Sequence, residues 1–275
     1  MEYLKLNTRE DFYNYVKDDI NFNVFNMTDG ELDAVKSYCA LVNFFYDLQV
    51  NFPASKQRLN IIVHSARQNF EKCLRYVLIP DNASADLVLR TLAENLIILK
   101  FLLAQDAKYV RKWDMWVYNM LPADTMPQDL LKVYKPFAFR CRKEYDAVLG
   151  SKPEFQQLLE NKYGWAFPAV KSGISLKRIA EACSAMDVFD MFGKLSFNIH
   201  ENTSVQNITS RMEQDAYKII SYAIDIMGEY MIVLMDYIPR ARQQSVIFLD
   251  AYQQLRKIVS EYFSDVVSKL HEVLY

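Results

Sequence analysis

Residues that end helices and build turns are rare in this sequence: 275 residues contain six glycines and eight prolines. So few helix-breaking residues predict few turns and long elements. Hydrophobic residues make up 51% of the chain, enough for a sizeable core. No stretch alternates between apolar and polar residues for long enough to make a convincing strand. The chain is therefore predicted to be all-α.

Capping patterns divide the chain into amphipathic helices. Thr28 and Glu31 form a capping box that opens a helix over about 29–51, which Pro53 ends. Ser84 is the predicted N-cap of a helix over about 84–104, and Ser175 caps a short helix to about 183. The other predicted helices cover roughly 56–79, 106–121, 127–149, 152–162, 185–200, 211–237 and the segment from Pro239 to Leu274.

The helical segments show no internal repeat and no linker between two cores. We predict a single domain, residues 1–275, built as a bundle of long helices. Its core is predicted at about 28–104 and 175–275, with a small-helix insertion at about 105–174.

Charge and composition limit the classes of function. A formal net charge of -2 gives no overall attraction to polyanions, so an RNA contact requires a local basic patch. The four cysteines are tens of residues apart and are predicted to be reduced, buried thiols. We predict no bound metal or cofactor, because the sequence has neither a metal-ligand motif nor a glycine-rich phosphate loop. The N-terminal residues do not resemble a secretory signal and the apolar windows are too short to span a bilayer, so the chain is predicted to be cytoplasmic with no membrane partner.

The clearest candidate site is a helix that carries Phe192, Ser196 and His200 at four-residue spacing, which places them on one face. A histidine near a helix end is often a simple hydrogen-bonding residue. Its near-neutral pKa also suits general acid–base catalysis, with Ser196 or Asn202 positioning a substrate hydroxyl or phosphate. A serine nucleophile activated by His200 is the weaker alternative, since residues on one helix face rarely align as a triad does.

A second polar pair lies on the apolar helix around residue 90. Arg90 and Glu94 are four residues apart, so they are predicted to be partly buried and partnered, either as a structural ion pair or as part of a polar site. If the two helices are neighbours, Glu94 and Asn95 would orient the imidazole of His200.

Two further patterns are typical of nucleic-acid chemistry but have simpler interpretations. Arg58 and His64 have a spacing used by some helical ribonucleases, but chance often produces such spacings and a helix surface is the favoured interpretation. A basic cluster interleaved with aromatic residues is the best local candidate for phosphate contact, although a solvated helix face is the default. Its basic residues are Lys132, Lys135, Arg140, Arg142 and Lys143.

Over roughly residues 55–210 the chain resembles an uncharacterised bacterial family of helical proteins. The resemblance rests on Arg90 and Glu94, a tryptophan-containing loop, and the helix with Phe192, Ser196 and His200. That family is itself similar to the HEPN group, many of whose members are ribonuclease toxins or phage-defence effectors and often dimeric. HEPN ribonucleases carry an arginine about five to seven positions before the histidine, where this chain has Lys194 between a glycine and a leucine.

The resemblance implies a metal-independent endoribonuclease that acts on RNA, is often a homodimer and has a role in defence. In this interpretation His200 is the acid–base and Lys194 or Arg90 stabilises phosphate charge, while Glu94 and Asn202 orient the reacting groups. The alternative is a non-catalytic interaction or regulatory protein, in which the helix over 243–274 provides a dimer or partner surface.

Overall fold

The regular structure of this chain is helical. A computed structural model describes residues 6–16, 28–48, 50–78, 82–119, 161–170, 173–201 and 215–274. Within those ranges no strand occurs, which confirms the all-α prediction. Short 3₁₀ turns cover Ala54–Leu59 and Gly164–Ala166. The α-helices are α1 (Arg9–Val16), α2 (Asp29–Asp47), α3 (Asn60–Leu78), α4 (Asn82–Ala104), α5 (Ala107–Asn119), α6 (Leu176–Ala182), α7 (Met186–Glu201), α8 (Asp215–Tyr237) and α9 (Pro239–Leu274).

Two helix starts agree with the predicted caps. At α2 the backbone N–H of Glu31 donates to Thr28 Oγ1 over 3.2 Å, and the N–H of Thr28 donates to the Glu31 carboxylate over 2.7 Å. The hydroxyl of Ser175 accepts from the backbone N–H of Arg178 at the start of α6. Both caps satisfy backbone donors that have no partner inside the helix.

The end of α2 differs from the prediction, because the helix stops at Asp47 and does not continue to about residue 51. Arg67 of α3 caps the helix at this end. Its guanidinium donates to the carbonyls of Phe45, over 3.2 Å, and of Leu48. Carbonyls at a helix end need partners from outside the helix, and a side chain from a neighbouring helix supplies them here.

The prediction that Ser84 is an N-cap is wrong, because α4 already begins at Asn82 and Ser84 lies in its first turn. Serine suits both positions, so sequence places such a boundary only to within a residue or two. The segment predicted as one helix from about residue 56 begins as a 3₁₀ turn and becomes α3 at Asn60. The helices predicted over 127–149 and 152–162 lie outside the described residues, apart from the last positions of the second.

Contacts divide the chain into two compact units. The larger unit contains Met1–Phe52, Asn60–Leu96 and Asp190–Tyr275, and the smaller unit contains Pro53–Leu59 and Ile97–Phe189. The organisation of residues 1–275 as one domain stays a prediction.

The core of the larger unit is centred on three aromatic side chains from three helices. Phe45 of α2, Phe70 of α3 and Tyr230 of α8 meet edge to face, with ring centroids 5.2 to 6.0 Å apart. The Tyr230 hydroxyl donates to the carbonyl of Leu92 in α4 over 3.3 Å. Edge-to-face packing of this kind stabilises a core beyond simple area burial. Four helices are therefore fixed at one point.

The smaller unit has an aromatic centre of its own. Phe101 of α4 lies edge-on to Tyr109 of α5, 6.2 Å away, and to Trp165, 5.7 Å away. Arg58 reaches the nearly buried carboxylate of Asp114 with Nε at 3.0 Å and Nη2 at 2.9 Å. Both guanidinium nitrogens contact the same oxygen, Oδ1 of Asp114, and this charge-assisted contact holds the 3₁₀ turn against α5.

Two helical glycines in the larger unit give a matched test of packing. A Cβ added to Gly193 in α7 meets nothing within 4 Å, whereas one added to Gly228 in α8 lies 3.2 Å from the Tyr252 ring. We expect Gly193→Ala to raise the free energy of unfolding by about 0.5–1 kcal/mol, because alanine favours helix. Gly228→Ala is expected to raise the free energy of unfolding by less, or to lower it, because the added Cβ meets the Tyr252 ring. Urea unfolding of both variants measures the difference. Equal gains would contradict the close approach of α8 to α9.

Candidate functional site

A polar row runs along α4, whose other positions are mostly buried and apolar. Asp86, Arg90 and Glu94 follow one another at four-residue spacing, so they share one face of the helix. Asp86 is 6% exposed, and Arg90 and Glu94 are half-buried. Arg90 and Glu94 were predicted from their spacing; Asp86 was not, although the same spacing extends the row by one turn.

The carboxylate of Asp86 influences its neighbour on α8. Burial raises the pKa of Tyr222, and the negative charges of Asp86 and Asp225 raise it further. Tyr222 therefore stays a neutral hydroxyl at physiological pH, within electrostatic range of Asp86.

Arg90 packs against α7. Its guanidinium carbon lies 4.9 Å from the centroid of the Phe192 ring, a cation–π distance. The Nε atom is buried and has no hydrogen-bond partner among the described residues. A buried donor without a partner is unusual, because each one costs free energy on folding. The ring of Phe192 thus holds a guanidinium that keeps hydrogen-bonding capacity.

The other described site residues of α7 differ in exposure. Ser196 is half-buried, and its Oγ donates to the carbonyl of Phe192 over 2.8 Å, four residues earlier in the same helix. Serine hydroxyls inside helices often bond to the carbonyl four residues earlier, and here that bond gives the Ser196 hydroxyl a partner within its own helix. Lys194 is exposed and offers a mobile positive charge. Arg90 and Phe192 therefore join the two predicted helices, with Ser196 one turn beyond the contact.

The remaining members of the predicted site are only partly described. Asn95 is half-buried on α4, next to Glu94. His200 lies in the last turn of α7, but its side chain is outside the described residues, as is all of Asn202. The orientation of His200 by Glu94 or Asn95 stays a prediction.

The two other patterns that suggested nucleic-acid chemistry were the Arg58 and His64 spacing and the basic cluster. Arg58 is engaged by Asp114, and His64 is exposed on α3. Arg58 therefore has a structural role, and His64 lies on the surface of α3. The basic cluster from Lys132 to Lys143 lies outside the described residues.

None of the described cysteines is in a disulfide bond. Burial raises the pKa of Cys39 and of Cys183 to about 11, and it raises that of Cys73 still further. A thiol with so high a pKa is protonated at neutral pH and is a poor nucleophile. The fourth cysteine, Cys141, lies outside the described residues.

The described residues contain neither a metal-binding cluster nor a membrane-spanning helix. No group of three or more His, Cys, Asp or Glu side chains is placed to hold a metal ion in the ranges that the structure covers. Among the helices of those ranges, none combines the length and the apolar character needed to cross a membrane.

No family model, curated protein or solved structure matches this chain.

Proposed function

We propose that this chain is a HEPN-like helical protein that cleaves RNA without a metal ion, in the bacterial cytoplasm, as a defence or toxin-type effector. The observation that carries the proposal is the arrangement of Arg90. Arg90 is only half-buried, and a planar guanidinium held on an aromatic ring is suited to gripping a phosphate oxygen. The helix that supplies the ring, α7, also carries the candidate acid–base residue His200.

Metal-independent cleavage of RNA needs a proton acceptor, a proton donor and a positive charge. A base removes the proton of the 2′-hydroxyl, whose oxygen attacks the adjacent phosphorus. The bond from phosphorus to the 5′-oxygen breaks, and that oxygen takes a proton. The products are a 2′,3′-cyclic phosphate and a 5′-hydroxyl, and the charge that develops on the phosphate requires a cation.

Each predicted site residue has a role in this scheme. His200 transfers the protons, and Arg90 with Lys194 stabilises the phosphate charge. Glu94 orients the base, and Ser196, Asn202 and Asn95 contact the substrate. We further propose that the active form is a homodimer in which two chains complete one site.

The proposal predicts that Arg90→Lys weakens binding of single-stranded RNA by about tenfold, because lysine keeps the charge but loses the planar fork and the packing on Phe192. Binding is measured by filter retention in EDTA, in a His200→Ala background so that the RNA stays intact. Arg178→Lys is the matched control, since Arg178 is exposed on α6 and pairs with Glu181 over 2.7 Å. Equal affinities of the two variants would contradict a phosphate contact at Arg90.

A specific observation also favours the alternative, a non-catalytic interaction protein. On α9, Val246 is 74% exposed and Leu249 is 51% exposed. Large apolar side chains so open to water are typical of surfaces that bind another protein. The alternative gains support if wild-type protein leaves RNA intact and Val246→Asp abolishes binding of a partner protein, or of a second copy of the chain, to α9.

A further inference from the structure

A groove of about 250 Å³ runs between α8 and α9 in the larger unit. Three of the apolar residues that line it are strongly exposed: Ile232 at 52%, Leu249 at 51% and Val246 at 74%. Two methionines, Met231 and Met235, also line the groove. Unbranched, polarisable methionine side chains adapt to the shape of an incoming apolar group. The groove is thus an apolar surface with room for side chains from another molecule.

The base of the groove is firmly held. Tyr252 stacks on Phe248 with centroids 5.8 Å apart, and Phe248 packs on Phe44 of α2 at 5.5 Å. The Tyr252 hydroxyl also accepts a hydrogen bond from Arg256 over 2.8 Å. A surface whose side chains are fixed before binding loses little conformational entropy when a partner arrives.

One end of the groove is acidic. Asp225 and Glu229 line it, and none of its lining residues in the described chain is a lysine or arginine. Burial raises the pKa of Asp225; Arg256, 3.2 Å away, and the Tyr252 hydroxyl oppose this effect, and the charge of Glu229 adds to it. Because Arg256 already pairs with Asp225, the charge of Glu229 is what adds negative potential at this end, and that potential attracts a positive charge from another molecule.

Shape argues against a second copy of the same chain as the occupant. In a two-fold symmetric dimer the same patch meets itself, and two concave grooves face to face leave a void. A stable interface also buries about 800 Å² on each partner, far more than three exposed side chains supply. One helix laid into a groove needs only a few apolar anchors about one turn apart.

We propose that the groove between α8 and α9 binds an amphipathic helix of a partner protein. Two apolar side chains of the partner helix, about one turn apart, enter the groove between Ile232 and Leu249. A lysine or arginine further along the partner helix faces Glu229. This inference does not rest on RNA cleavage.

The test uses synthetic helical peptides of about four turns, with leucines on one face. One peptide carries lysines beside the leucine face, and its matched partner carries glutamates at the same positions. Binding to the full chain is followed by fluorescence anisotropy. We expect the lysine peptide to bind at least about tenfold more tightly, and Glu229→Gln to reduce that preference.

Two neighbouring residues on α9 give a matched pair of variants. Val246 lines the groove, whereas Ile247 is similarly exposed but does not. Val246→Asp is expected to weaken binding of the lysine peptide at least about tenfold, and Ile247→Asp to change it less than about twofold. Both side chains are exposed, so circular dichroism is expected to show an intact fold for each.

Three outcomes would overturn the proposal. The first is equal binding of the lysine and glutamate peptides, or no binding of either. The second is an equal effect of Val246→Asp and Ile247→Asp. The third is a wild-type dimer, seen by light scattering, that Val246→Asp alone dissociates, because a second copy would then occupy the groove.

Discussion

His200→Ala is expected to lower the rate of RNA cleavage by at least about 100-fold, because a positioned acid–base group typically contributes a factor of this size or more. The imidazole is the proposed group that moves protons between the 2′-hydroxyl and the leaving oxygen. Alanine removes it from the last turn of α7 without adding bulk. The rate is measured in EDTA with end-labelled RNA and enzyme in excess, so that chemistry rather than product release is followed.

His64→Ala is the matched control for this prediction. His64 is exposed on α3 and has no role in the proposed site. Its variant is expected to cleave within about twofold of the wild-type rate, because exposed substitutions of this kind usually change little. Equal rates for His200→Ala and wild type would remove His200 from the chemistry.

Tyr230→Ala is expected to lower the free energy of unfolding by about 3–5 kcal/mol. The side chain is 0% exposed and packs edge-on against Phe45 and Phe70. Its hydroxyl also ties α8 to the Leu92 carbonyl of α4. Removing the ring leaves a cavity where four helices meet, and urea unfolding measures the loss.

Two variants separate the contributions to that loss. Tyr230→Phe keeps the ring and is expected to cost about 1 kcal/mol, the usual value of a hydrogen bond. Tyr237→Ala, on the same helix but 40% exposed, is expected to cost less than about 1 kcal/mol. A loss at Tyr237 as large as that at Tyr230 would contradict the aromatic centre described for the larger unit.

Helix starts were largely predictable because capping is local. The capping box of Thr28 and Glu31 lies within one turn, so the sequence contains all of its parts. Helix α1 was missed although Thr8 and Asp11 exchange the same reciprocal bonds, with aspartate in place of glutamate. The end of α2 was not predicted, and its carbonyl of Phe45 is capped by Arg67, a residue of another helix that local sequence does not reveal.

In the candidate site, too, features within one helix were predictable and contacts between helices were not. Spacing along one helix placed Arg90 and Glu94 on one face of α4, and it also contained the signal for Asp86. That Phe192 lies under Arg90 depends on which helices are neighbours, and periodicity carries no such information. The groove beside Gly228 likewise exists only once α8 and α9 pair.

Incubation of purified wild-type protein with total bacterial RNA in EDTA, followed by a denaturing gel and analysis of the product ends, tests the central claim most directly. The proposed function predicts new fragments that carry 2′,3′-cyclic phosphate and 5′-hydroxyl ends and that are absent with His200→Ala. RNA that stays intact with wild-type protein, or fragments formed equally by His200→Ala, would contradict it.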